Sequence, residues 1–168
     1  MQITRAKVRT SGRRTGWAVM AFLMAVLIAT SLMAPPVFGQ GRGFTLEGLS
    51  GGQIQQKDLD QGAVIVVVWA SWSPRGRDIV PRVDNIANRW GSQARVIMVN
   101  FQEDAATVES FLQGKRPKAP IFLDRDGGFS KKYSVTHLPG LLIFKDGVTA
   151  FSGKLPPDPD SLIGQTLG

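Results

Sequence analysis

The sequence predicts an α/β sandwich built on a mixed β-sheet, and three observations predict it. The run AVIVVVW, Ala63 to Trp69, is continuously apolar and β-branched, as a strand buried on both faces must be. Apolar residues then recur at Ile79, Val83, Ile86 and Trp90, in steps of four, three and four, which make one face of a helix. Near the C-terminus two further apolar runs flank Lys145-Asp146-Gly147, a hairpin turn signal. Parallel strands joined by a helix, followed by an antiparallel hairpin, give a mixed sheet.

The remaining elements fall in order around these three. Phe44 and Leu46 alternate with polar residues, Ser50-Gly51-Gly52 is a turn, and Ile54 opens a second short extended piece, so FTLEGLSGGQIQQKDL reads as a β-hairpin ahead of the main domain. After the 63–69 strand, Ser73 and Pro74 stand at the N-cap and first position expected of a helix start. Ala94 to Phe101 is a second central strand, and Asp104 to Gln113 a helix that turns Val108, Phe111 and Leu112 inward. Ala119 to Leu123 is a short strand, and Phe129 to Tyr133 a short helix. Between them, Asp124-Arg125-Asp126-Gly127-Gly128 is a turn; it has the first residues of a calcium loop and lacks the later ligands. Leu141 to Phe144 and Val148 to Phe151 form the hairpin, and a proline-rich loop leads to a last helix from Ser161 to Leu167. Trp69 and Trp90 read as core residues.

Composition narrows the function. The chain has 168 residues and a formal charge of +7. Residues 1–39 hold five of the 20 basic residues and no acidic one, which leaves 15 basic against 13 acidic over 40–168. The excess belongs to the tail, so nucleic acid is not an expected partner. In that tail Arg5, Lys7, Arg9, Arg13 and Arg14 precede an uncharged run from Trp17 to Ala34, then Pro35, Pro36 and small residues before Gln40. This order is that of a signal peptide, and the run is also long enough to serve as a membrane anchor. Residues 1–39 are therefore expected to be one or the other, 40–43 a linker and 44–168 the folded domain. In either case the basic flank places the domain outside the inner membrane, periplasmic or extracytoplasmic, with residues 17–34 as the means of any membrane association.

There is no cysteine. Stability must come from packing, and no thiolate redox, zinc or iron–sulfur site can form. His137 is the single histidine and has no metal-ligating partner in the sequence, so neither a metal nor another cofactor is expected.

VVVWASWSPRGRDIVP, with Pro81 five residues beyond Gly76, and YSVTHLPGLLIFKDG, with Pro139, together with the N-terminal hairpin, carry a resemblance. From Phe44 to Leu167 the chain resembles the TlpA/ResA-like (redoxin) branch of the thioredoxin superfamily. That likeness implies a thioredoxin-like sandwich with a cis-proline at Pro139, and a redox site at the turn after Trp69. Three departures from the pattern matter. Ser73 and Gly76 stand where the family has its two cysteines, Val67 replaces a residue that is often polar, and Gly140 stands where threonine is common.

The first departure removes the family's thiol–disulfide chemistry, which needs one thiolate to attack and a second to resolve the mixed disulfide. Ser73 has a plain structural reading as a helix cap. As a nucleophile it would need a base, and His137, two residues before Pro139, is the sole candidate. The frame around the lost centre points elsewhere. Trp72, Ser73, Pro74, Arg75, Gly76, Leu138 and Pro139 would border the groove in which thioredoxin-like proteins hold extended polypeptide, by backbone pairing that needs no sulfur. Trp72 would be an anchor. Arg75 and Arg77 are two solvated cations, or a means of attracting an acidic partner or phosphate. The expectation is a non-catalytic protein- or peptide-binding module, for example in assembly of an envelope complex. The alternatives are an enzyme repurposed around Ser73 and His137, and a purely structural domain.

Overall fold

The structure is a computed structural model, and it describes residues 43–168. The signal or anchor and nearly all of the linker expected from the sequence lie outside the described residues.

Strands β1 (Thr45–Gly48) and β2 (Gln53–Gln55) form the N-terminal hairpin. They are followed by β3 (Ala63–Trp69), α1 (Ile79–Trp90), β4 (Arg95–Phe101), α2 (Ala105–Leu112), β5 (Ile121–Asp124) and α3 (Gly128–Lys132). β6 (Gly140–Lys145), β7 (Val148–Lys154) and α4 (Asp160–Leu167) end the chain. One seven-stranded sheet runs in the order β2-β1-β5-β4-β3-β6-β7. β3, β4 and β5 are parallel, while β1 on β5, β6 on β3 and β7 on β6 are antiparallel. This is the mixed sheet of a thioredoxin-like sandwich.

The unbroken apolar run of β3 is explained by its place in the middle of the sheet. Its odd residues Ile65, Val67 and Trp69 join one core with Ile79, Val83, Val108, Leu112 and Ile163 from α1, α2 and α4. Its even residues Val64, Val66 and Val68 join the other with Leu46, Ile54, Phe122, Phe129 and Phe144. Val67, polar in much of the resembling family, is fully buried in the first core. Phe111 is half-buried and lies 5.1 Å from Trp69, ring to ring.

Local chemistry sets the element ends. Asp104 caps α2 by accepting the Thr107 N–H at 2.7 Å, and that bond holds its carboxyl below the ordinary carboxylate value. Asp124, fully buried at the end of β5, accepts the N–H groups of Phe129 and Ser130 at 3.0 and 2.9 Å and so starts α3. The acidic turn that shares its first residues with a calcium loop thus uses its first carboxylate as a backbone acceptor. Trp90 is half-buried rather than enclosed: its Nε1 donates to Asp160 Oδ1 at 2.8 Å, and this ties α1 to α4.

Candidate functional site

The candidate site lies at the C-terminal end of β3, the edge where open α/β sheets place their sites. Residues 70–78 leave the strand as a tight turn. Ser73 N–H donates to the Ala70 carbonyl at 3.2 Å, and Gly76 N–H to the Ser73 carbonyl at 2.8 Å. Pro74 to Gly76 form a single 3₁₀ turn, and the α-helix begins at Ile79.

That start corrects the helix read from the sequence, and Pro81 supplies the reason. In a helix continuous from Pro74, residue 81 would donate its N–H to the carbonyl of Arg77. Proline has no N–H, and its ring would meet that carbonyl. With the break at Arg77–Asp78, Pro81 falls in the first turn of α1, where no donor is required. Ser73 is consequently not a side-chain cap. Its hydroxyl instead donates across the turn to the carbonyl of Leu138 at 3.2 Å. Asp78 takes the N-cap position, also without a side-chain capping bond.

Leu138–Pro139 is a cis peptide, and Pro139 is buried beside the turn. The structure therefore brings Ser73 and Leu138 together. Ser73 is 4% exposed, whereas Trp72 is 61% exposed. Pro74, Arg75 and Arg77 are exposed, and Gly76 is buried. His137 is exposed and is paired with its neighbour, Thr136 Oγ1 to Nδ1 at 2.9 Å. With the Ser73 hydroxyl engaged by a backbone carbonyl and the imidazole engaged elsewhere, the two do not form the nucleophile–base pair that hydrolysis would need.

Gly76 is more than an absent side chain. A Cβ at this position would lie 2.8 Å from the Ala70 carbonyl oxygen, so the turn has closed on the space that a side chain would need. Gly140 is similar, since a Cβ there would stand 2.9 Å from the His137 carbonyl oxygen. Both departures belong to a site repacked around small residues.

Sequence reasoning missed the group that holds the turn from below. Glu103 accepts the Ser71 N–H at 2.8 Å, the Ser71 hydroxyl, and Asn100 Nδ2 at 2.7 Å. Asn100 is fully buried and stands in register with Trp69. Among the described residues its Oδ1 and the indole Nε1 of Trp69 have no hydrogen-bond partner. The available signal was position alone: an acidic residue just past the C-terminal end of the central strand β4, next to the β3 turn.

The geometry agrees with three comparisons. The AhpC/TSA family matches residues 40–150. The thiol-disulfide oxidoreductase ResA of Bacillus thuringiensis subsp. konkukian is 26% identical over 106 residues, which cover 62% of this chain and 61% of that protein. The chain thus spans about three fifths of that relative's length. Among solved structures, the pneumococcal exposed lipoprotein thioredoxin from Streptococcus pneumoniae strain TIGR4 superposes with a TM-score of 0.65 at 21% identity, covering 74% of this chain and 97% of that one. StoA from Bacillus subtilis gives 0.61 at 21% identity, covering 74% and 96%. These two likenesses show the fold. With that fold and a family match over more than half its length, the chain belongs to the AhpC/TSA family, as a ResA-like, thioredoxin-fold member with no cysteine.

Proposed function

We propose that this protein is a non-catalytic module that binds an extended polypeptide in the groove beside the former redox turn, outside the inner membrane. The observation that carries this reading is Trp72. It is 61% exposed, in a domain whose only other large exposed apolar side chain among the described residues is Val148. Tryptophan is among the side chains most effective as an anchor at an interface. Beside it, the Leu138–Pro139 segment offers backbone for strand-like pairing. Residues 73 and 76 carry no sulfur, so pairing there leads to no exchange reaction.

The test is binding of a ten-residue, cysteine-free extended peptide to the full chain in detergent, read by fluorescence anisotropy. Binding is expected to weaken about tenfold or more in Trp72→Ala, consistent with an interface tryptophan worth at least about 1.4 kcal/mol. Hydrogen exchange at the Leu138 amide is expected to slow when peptide is bound. Peptide binding unchanged in Trp72→Ala, with no added protection at Leu138, would refute the groove.

The location outside the membrane rests on the uncharged run from Trp17 to Ala34 behind five basic residues. Alkaline phosphatase, which folds actively only where disulfides form, is expected to be active when fused after Gly168. An inactive fusion present at normal levels would place the domain in the cytoplasm.

A further inference from the structure

The groove has a charge as well as an apolar anchor. A hollow of about 420 Å³ opens against Pro139 and is bounded by Arg75, Asp78, Arg82, Lys154 and Leu155. Three separate elements deliver its cations: the 3₁₀ turn after Ser73 supplies Arg75, α1 supplies Arg82, and the end of β7 supplies Lys154. One carboxylate, Asp78, faces three positive groups there.

Among the described residues no ion pair involves Arg75, Arg82 or Lys154, and the next carboxylates, Asp158 and Asp160, line an adjoining hollow on the far side of Arg82 and Leu155. Among the described residues the ion pairs are Arg89 with Asp160 at 3.3 Å and Arg125 with Glu47 at 3.5 Å, and neither uses a residue that lines this hollow. Arg82 donates to the Pro156 carbonyl at 2.8 Å, which fixes the guanidinium at the rim without cancelling its charge. Among the described residues Arg75 and Lys154 make no side-chain hydrogen bond, and both side chains are exposed. Residues 40–168 hold 15 basic and 13 acidic groups, so the excess of two positive charges gathered beside Pro139 equals the net charge of the whole domain.

We infer that the groove is selective for acidic polypeptide, and that a carboxylate of the bound segment sits in the hollow between Arg75 and Lys154 beside Pro139. This inference rests on the peptide-binding reading above and specifies its ligand. Arginine and lysine act in different ways here. Arg75 offers a planar fork to a carboxylate, whereas Lys154 acts as a point charge on a flexible stem. A lysine or arginine side chain in the same place would meet two like charges and be excluded, which makes the hollow a device for discrimination as much as for affinity.

Three ten-residue peptides test it, identical except at two positions that carry Glu, Gln or Lys. Each is titrated against the full chain in detergent at low and at moderate salt. The Glu peptide is expected to bind about tenfold more tightly than the Gln peptide at low salt and the Lys peptide more weakly than either, with the differences shrinking as salt rises. In Arg75→Glu, Lys154→Glu the order of the Glu and Lys peptides is expected to reverse, and a far-ultraviolet circular dichroism spectrum and denaturation midpoint like the parent's show that the variant is folded. Equal binding of the Glu and Gln peptides, with Trp72→Ala still weakening both, would overturn the acidic preference and leave the groove standing. Failure of all three peptides to bind would overturn both.

Discussion

Ser73 and Gly76, which the resemblance read from the sequence sets at the family's two cysteine positions, are each absorbed into the fold in their own way. The serine hydroxyl bridges to the Leu138 carbonyl and so joins the turn to the proline loop without a covalent bond. The glycine lets the 3₁₀ turn press against the Ala70 carbonyl. Reinstating a side chain there should therefore be costly. Gly76→Cys is expected to lower stability by about 1–3 kcal/mol through overpacking, whereas Ser73→Cys, in a position that already carries a Cβ, should cost less. Urea titration of the two single variants, under reducing conditions, checks this. A Gly76→Cys protein as stable as the parent would mean that the turn relaxes freely and that the glycine is incidental.

At the scale of elements, the site depends on how β3, β4 and the loop after β4 meet. Glu103 gathers the backbone and side chain of Ser71 and the amide of the buried Asn100. Removing that carboxylate leaves a fully buried amide without its acceptor, and such a group costs far more unpaired than its bond contributes when made. Glu103→Ala is expected to destabilise by about 2 kcal/mol, with Glu103→Gln, which retains an acceptor oxygen, losing less. The denaturation midpoint at unchanged slope is the measurement. Equal stability of the Ala variant and the parent would remove Glu103 as the support of the turn. Helix α1 makes a related point about legibility. Its buried face, Ile79, Val83 and Ile86, was readable from spacing. Its start was not, because Ser73-Pro74 is a sound opening signal and the prohibition imposed by Pro81 acts seven residues downstream.

Across the whole molecule, β3 is the common wall of two cores. Cavities cut on opposite faces of it should therefore weaken one and the same transition. Val66→Ala and Val67→Ala are each expected to cost about 2 kcal/mol and to shift a single cooperative unfolding curve. Two separable transitions would show that the two faces are independent units. The N-terminal hairpin belongs to this same body, since β1 pairs with β5 and Leu46 and Ile54 lie in the second core.

By itself the sequence determined the element order, the buried central strands and the loss of thiol chemistry, because strand and helix periodicity are local and the absence of cysteine is absolute. It also singled out Trp72 and the segment around Pro139. Only the tertiary structure decided what Ser73 does, because its partner Leu138 lies 65 residues away. The same holds for Glu103, which reaches Ser71 across 32 residues, and for the hollow in which Arg75, Arg82 and Lys154 meet from three elements. Hydrogen bonds and charges of this kind follow distance in space, and no spacing along the chain encodes that distance before the sheet has closed.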